Sequence, residues 1–305
     1  MKKYAQIYFI AFALISCERI IPFSPEDTDP KMTIYSLASV TGYGVGFGVM
    51  TDSLGSDPID AVVSRSVGIL DNSNPIFLDA ATLWVIDINT SEIDTLISLG
   101  AEGRYRAPNM KVKSGHVYNL HGKQNGLDTI FASSNVPNVP MNIIITPGDT
   151  SLGGGAGPGG GGDKPSISFE LEIEDDGGPG YYMIEAYERE INTTGVLGSR
   201  VWMDSDDPSF NSANNRWGSE RLYVSNELFL GNKRTFSLKV IGYPEPDVQK
   251  LFKITKMGND YFYFLSSSDL YFNTGGPFSQ PVSVYSNISN GLGVFSGTSA
   301  MWFAP

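Results

Sequence analysis

Apolar and polar residues alternate with a period of two through most of this chain, and clusters of turn formers interrupt the alternation. In residues 82–89 (TLWVIDIN), Leu83 and Val85 fall on one side and Trp84, Ile86 and Ile88 on the other; the run resumes at 92–99 after Thr90 and Ser91. Successive strand side chains point to opposite faces, so this spacing predicts a hairpin. Residues 115–123 and 127–133 flank Asn125-Gly126, a pair suited to the positive φ angles of a tight hairpin turn. Residues 103–107, followed by 115–120, add two short strands with turn residues between them. Many short strands at this spacing predict an antiparallel sandwich over 31–147, immunoglobulin-like or transthyretin-like in kind. Gly42, Gly44, Gly46 and Gly48 alternate within one apolar run, which predicts either a strand approached closely by another element or a loop.

The pattern restarts at Pro165. Ile167, Phe169, Leu171 and Ile173 alternate with polar partners, the sequence DDGGPG at 175–180 turns the chain, and 181–188 comes back. Residues 235–243 and 249–256 read as a further pair of strands. The alternation then fails: Tyr261, Phe264, Leu265, Ser268 and Phe272 share a helical face, with Asn259 or Asp260 as cap, so one short helix is expected near 259–272, covering one side or edge of the second sheet. Between the halves, 153–162 holds eight glycines in ten residues. Its G-x-G-x-x-G at Gly155, Gly157 and Gly160 lacks the following helix that a phosphate loop needs, so 148–164 reads as a Gly-rich linker or loop. The expected fold is therefore mainly β: two antiparallel sandwich domains, 31–147 and 165–305, the second carrying the helix.

Composition narrows the function. Thirty-three acidic against 21 basic residues give a formal net charge of −12, which disfavours nucleic acid and binding to an anionic membrane through a basic patch. Cys17 is the one cysteine of the chain, so no disulfide framework exists and stability must come from apolar cores.

Residues 1–16 have the layout of a secretory signal: Lys2 and Lys3, then an uncharged apolar run too short to span a bilayer, then small Ser16 before Cys17. The edge LIS-Cys17 resembles the lipobox of bacterial lipoproteins, whose cysteine is acylated and becomes the first mature residue. That resemblance implies a membrane-lipid anchor at Cys17, while a chance cysteine after an ordinary signal is the alternative. Residues 17–30, with three prolines and four acids, read as an extended lipidated tether. The acids also resemble surface-export signals of outer-membrane lipoproteins, although Arg19 interrupts them and a merely solvated tail is the alternative.

The stretch 276–297 (GPFSQPVSVYSNISNGLGVFSG) resembles the C-terminal signature of an uncharacterised family of Bacteroidetes lipoproteins, a domain of unknown function. The resemblance is carried by Pro277-Phe278, Pro281-Val282, Tyr285-Ser286-Asn287 and the run 290–295, with support from the aromatic run at 261–265. It implies an outer-membrane lipoprotein encoded beside TonB-dependent transporters and acting as accessory to one, with no catalytic residues or cofactor to carry over. Read from residue chemistry alone, Asn287, Asn290, Gly291 and Gly293 form a structural turn motif, with positive-φ positions at Asn290-Gly291 and close backbone approach at Gly293.

Reactive constellations are weak. His116 and His121 are five apart, on opposite faces of a strand, which does not suit a shared metal. Asp204, Asp206 and Asp207 crowd one loop without the glycine and distal glutamate of a calcium loop. Trp84, Trp202, Trp217 and Trp302 offer stacking surfaces for sugars, Trp202 and Trp217 being the candidate glycan contacts, against a core or rim role. Asp52-Ser53-Leu54, Asp94-Thr95-Leu96 and Asp128-Thr129-Ile130 resemble an Asp-Ser/Thr-aliphatic acceptor for O-glycosylation, making Ser53, Thr95 and Thr129 candidate sites. The sequence thus points to a non-enzymatic accessory lipoprotein of an outer-membrane assembly, with a surface glycan-binding module as the alternative.

Overall fold

The structure, a computed structural model, describes residues 29–43, 55–67, 74–140, 142–153, 164–191, 198–210, 219–273 and 283–305. The signal, Cys17 and the tether to residue 28, Gly44, Gly46 and Gly48, Ser53, Trp217, Pro277-Phe278, Pro281-Val282 and most of the glycine tract lie outside them. Among the described residues the first half forms β1 (Met32–Tyr43), β2 (Gly55–Ser56), β3 (Asp60–Arg65), β4 (Ile76–Phe77), β5 (Thr82–Asp87), β6 (Glu92–Ser98), β7 (Arg104–Arg106), β8 (Val117–Lys123) and β9 (Ile130–Asn135). The second half adds β10 (Ile143–Ser151), β11 (Ser166–Glu174), β12 (Tyr181–Glu190), β13 (Arg200–Val201), β14 (Met203–Asp204) and β15 (Leu222–Ser225). It ends with β16 (Lys233–Ile241), β17 (Val248–Met257), α1 (Asn259–Asn273) and β18 (Leu292–Phe303).

Hydrogen bonding runs without a break through β13-β12-β17-β18-β1-β3-β7-β6-β5-β8-β9, and a separate small sheet has the order β10-β11-β16-β14. The long ribbon folds over at β6, where Leu96 pairs with Leu83 of β5 but Ile97 and Ser98 pair with Arg106 and Tyr105 of β7. The first core lies inside that fold, with Ile34, Val63, Leu83, Val85, Tyr118 and Leu120 buried. The second lies between the small sheet and the other end of the ribbon, where Phe169 meets Phe252 edge-on at 4.9 Å. The fold is mainly β and sandwich-like, as the alternation predicts.

Two local expectations are corrected. Residues 166–174 and 181–188 do not form a hairpin: β11 pairs with β10 and β16, and β12 with β13, β15 and β17. Likewise β16 and β17 lie in different sheets rather than side by side. Both connections cross between sheets, because each strand needs one apolar face covered and the opposite sheet supplies the cover. The glycine tract joins two strands of one sheet, since Ser151 of β10 pairs with Ser166 of β11.

The large sheet is mixed, not antiparallel as expected, because the last strand of the chain returns beside the first in the same direction. β1 runs antiparallel to β3, but parallel to β18 from Thr33↔Leu292 to Tyr43↔Trp302. Its outer face is covered by α1, whose Tyr261 and Phe262 are buried against Met183, Tyr223, Met257 and Val294, with Leu37 of β1 alongside. Phe262 stacks on Tyr181 at 3.6 Å, and the Tyr35 and Tyr261 hydroxyls share a hydrogen bond of 2.9 Å. Phe272, expected on the covered face, is 79% exposed; cover comes from the first two turns.

The turn motif sits where these parts meet. Asn287 accepts from the Phe295 backbone N–H at 3.0 Å and donates to the Phe295 carbonyl at 2.8 Å, standing in for a strand partner at the start of β18. Asn290 has φ 58° and donates to the Thr129 carbonyl at 3.2 Å. Gly291, expected at positive φ beside it, does not adopt one; its need is close approach, since a Cβ there would lie 2.8 Å from the Met32 carbonyl oxygen. Gly293 has φ +107°, and a Cβ there would lie 1.9 Å from the Ile34 carbonyl oxygen of β1. By contrast Gly126, at φ +78°, faces open space. We therefore expect Gly126→Ala to lose about 1–2 kcal/mol, the ordinary cost of a left-handed residue. Gly293→Ala should lose clearly more in urea unfolding, because the β1–β18 ladder must also part; equal losses in the two variants would refute the close-approach argument.

Candidate functional site

A cleft of about 320 Å³ opens where the two halves meet. One wall is the end of β9 and the segment beyond it, residues 134–138, with Gly115; the other is Asp176, Gly178 and Pro179 with Lys256 of β17 and residues 258–260 at the start of α1. The first wall is fixed by backbone bonds between Gly115 and Val136 and between Val136 and His116, at 2.8 and 2.9 Å. It is tied to β18 by Gly297 N–H donating to Ser134 Oγ at 2.9 Å and by the Ser299 hydroxyl donating to the Pro137 carbonyl.

The second wall is organised by charge. Even positions of β17 face the second core, so Phe252 and Ile254 are buried, and Lys256 follows them inward at 2% side-chain exposure. A buried ammonium demands partners, and Lys256 has Asp175 Oδ1 at 3.0 Å and a close contact to Asp176, with the Tyr182 ring 5.4 Å away. Asp175 is itself buried. Its carboxylate also accepts from the Tyr182 hydroxyl at 2.8 Å, Asn226 Nδ2 at 2.9 Å, Gly177 N–H at 2.9 Å and Gly231 N–H at 3.0 Å. Burial alone would push this carboxyl up, but the bonds from Asn226, Gly231, Tyr182 and Lys256 outweigh it and hold its pKa down at about 2. Burial and the adjacent Asp175 raise the Tyr182 phenol. Asn226 completes the clamp, donating to the Gly178 carbonyl at 2.6 Å and accepting from Gly180 N–H at 2.9 Å.

Asp176 opens into the cleft with a third of its side chain exposed. Burial raises its pKa, and bonds from Lys256, Asn138 and the Gly178 N–H more than reverse that. Asp260 receives the Tyr285 hydroxyl and Asn287 Nδ2, the latter at 3.2 Å. The exposed side chains of the rim are Asn135, Asn138 and Asn259, together with Asp176 and Pro179. The cleft thus presents neutral amides above charged groups that are largely paired within the protein.

The other singled-out residues lie elsewhere. Trp202 is 40% exposed beside β14, and Thr95 and Thr129 are exposed, with Leu96 and Ile130 beside them buried. Asp94, next to Thr95, is committed to the backbone N–H groups of Asn109 and Met110 at 2.7 and 2.8 Å. Trp84 and His121 are neighbours across β5 and β8 with parallel rings 5.0 Å apart, so one face of each is taken by the other. Burial lowers the His121 pKa, while His116 bonds Asp87 at 2.8 Å on another part of the sheet. Trp302 is half-buried against Tyr187 at 5.0 Å. Asp206 and Asp207 pair with Lys239 and Arg234 at 2.7 and 3.2 Å, and the described residues hold no metal-ligating group of three or more. The cleft residues escaped the sequence reading. Their signal was Lys256 itself, a lysine at the inward-facing position of an apolar strand, which requires a buried counter-ion.

Fold and site together define a mainly β, sandwich-like protein with one covering helix and a polar cleft between its halves. It belongs to the family described as Domain of unknown function (DUF4249), which matches residues 52–301 and so takes in the 276–297 stretch. No curated protein matches the chain. Among solved structures it is similar to the yeast delta-COP-I mu-homology domain at 8% identity and a TM-score of 0.22, covering 92% of this chain and 97% of that one. The same yeast domain complexed with the Dsl1 WxWxV peptide gives 7% identity and a TM-score of 0.24 over the same shares. CfaE, the adhesive subunit of CFA/I fimbria of enterotoxigenic Escherichia coli, gives 10% and 0.15, covering 90% of this chain and 87% of that one. Likenesses this low carry no argument.

The carboxylate clamp sets an acid limit. A carboxyl depressed in the folded state contributes stability above its unfolded pKa of about 3.9 and loses it as pH falls through the folded value. The urea midpoint should therefore drop between about pH 4 and pH 2. Asp175→Asn should cost roughly 3–5 kcal/mol at neutral pH and flatten that acid slope. An unchanged slope in the variant would show that Asp175 does not set it.

Proposed function

We propose that the protein is a lipoprotein of the bacterial outer membrane, of the Bacteroidetes kind, held by acyl chains on Cys17. It serves as a non-enzymatic recognition component of an envelope assembly, a TonB-dependent transporter being the partner class. The supporting observation is the path from anchor to fold. Fourteen residues separate Cys17 from Met32, a reach of up to about 50 Å when extended. They lead into β1, which has β3 on one side and β18 on the other. A tether that enters an interior strand hands any pull to two ladders at once, whereas one entering an edge strand could peel it. The cleft is then the recognition site, and glycan recognition is the second reading, favoured by its asparagine rim.

Fatty-acid labelling followed by membrane fractionation tests the anchor. The native chain should take up label and sediment with the outer membrane, and Cys17→Ser should do neither. A transporter should co-purify with the native chain in mild detergent. Unlabelled Cys17→Ser protein that still sediments with the outer membrane would overturn the anchoring, and recovery of the native chain alone would overturn the assembly.

A further inference from the structure

We infer that the cleft takes a neutral, hydroxyl-rich ligand, one or two sugar rings or the end of a longer glycan; this rests on reading the cleft as the recognition site. Its walls carry two carboxylates, Asp176 and Asp260, against one ammonium, Lys256, which is itself paired with the fully buried Asp175 behind the wall; this balance opposes phosphate or carboxylate ligands. Those carboxylates are already answered from inside the protein. Asp175 has five donors, Asp260 has Tyr285 and Asn287, and Asp176 has Lys256, Asn138 and the Gly178 N–H. A cation entering the cleft would compete with donors built into the fold.

The hydrogen-bonding capacity at the opening lies instead on Asn135, Asn259 and the part of the Asn138 amide that Asp176 does not take. An amide offers donors and acceptors side by side, which suits adjacent hydroxyl groups, themselves both donor and acceptor. The amides come from both walls, Asn135 and Asn138 from the end of β9 and the segment after it and Asn259 from the first residue of α1. Pro179, exposed on the second wall, supplies apolar surface for the C–H face of a ring, while Val136 and Pro137 are buried behind the first. The volume of about 320 Å³ is at the small end of the range for ligand sites, about 300–1,000 Å³. Rigid placement lowers the cost of binding: the Asn138 segment is tied to β18, and Asn259 begins a helix packed on the sheet.

The test is calorimetric titration of the full chain in mild detergent with the methyl glycosides of glucose, galactose, mannose and N-acetylglucosamine. Methylammonium chloride and inorganic phosphate serve as charged probes. At least one glycoside should saturate, with affinity lowered about tenfold by Asn138→Ala or Asn259→Ala and unchanged by Glu245→Ala in an exposed loop outside the cleft. Both asparagines are exposed, and matching thermal unfolding of the variants guards against a folding effect. Failure of every glycoside to saturate, or binding that ignores both cleft variants, overturns the inference. Saturable methylammonium or phosphate binding that the same variants abolish overturns the ligand class and leaves the cleft standing as a recognition site.

Discussion

The parallel ladder between the first and last strands is the constraint on which the rest of the structure depends. Strands of a parallel pair fare best with both faces covered, and β1 and β18 meet that demand with three different partners. Met32, Ile34, Ala38 and Val40 of β1 are buried with the first core. Phe295, Met301 and Phe303 of β18 are buried in the same continuous core, which runs on into the second half. The opposite face carries Leu37 and Val294 beneath α1. Without the helix that face would be wet, and without the ladder the helix would have only half its platform. This is why the turn motif just before β18 is dense in geometric requirements: it must bring the chain out of the helix region and lay it parallel to a strand some 260 residues earlier.

A second constraint is electrostatic and local to the crossing between β11 and β12. A turn such as 175–180 has no intrinsic reason to leave one sheet for the other. Asp175 gives it one, since its five donors come from the turn itself, β12, β17 and the segment 226–231. A buried ion pair of this kind is weak support for stability, since apolar replacements of equal volume can do as well or better. Its contribution is placement. It pins Asp176, Gly178 and Pro179 at one position relative to α1, and that position is a wall of the cleft.

Strand content, the hairpins on either side of Thr90-Ser91 and Asn125-Gly126, and the helix after Gly258 were legible because each is written in neighbouring residues: period two, turn formers, then a change of period. The arrangement of those strands was not. β11 followed by a Gly-rich turn and β12 has the sequence of a hairpin, and only the need to cover apolar faces on two sheets sends β12 elsewhere. The parallel partner of β1 leaves no mark near β1. The turn residues Asn287, Asn290, Gly291 and Gly293 could be read as geometry, yet not which strand they serve. The cleft was hidden for the same reason, as Asn138, Asp176, Lys256 and Asn259 are scattered in sequence and gathered by topology, and each alone resembles an ordinary loop or strand residue.

Anchoring and recognition, as proposed, would meet in the same two strands. A pull along the tether would reach β1 at Met32 and run along its axis, and it would be shared by the antiparallel ladder to β3 and the parallel ladder to β18. Strands loaded along their length resist as a set, because many hydrogen bonds must shear together before the strand slides. β18 is also the strand whose Gly297 and Ser299 hold Ser134 and Pro137, and thus the wall that carries Asn135 and Asn138. The opposite wall stands on β17, which pairs with β18 from Phe252↔Phe303 to Met257↔Thr298. Both walls are therefore referenced to one central strand rather than to the loops that carry their ligand-facing side chains. A common reference strand fixes the two walls relative to each other, and a pull along β1 would act on that strand before it acted on either wall.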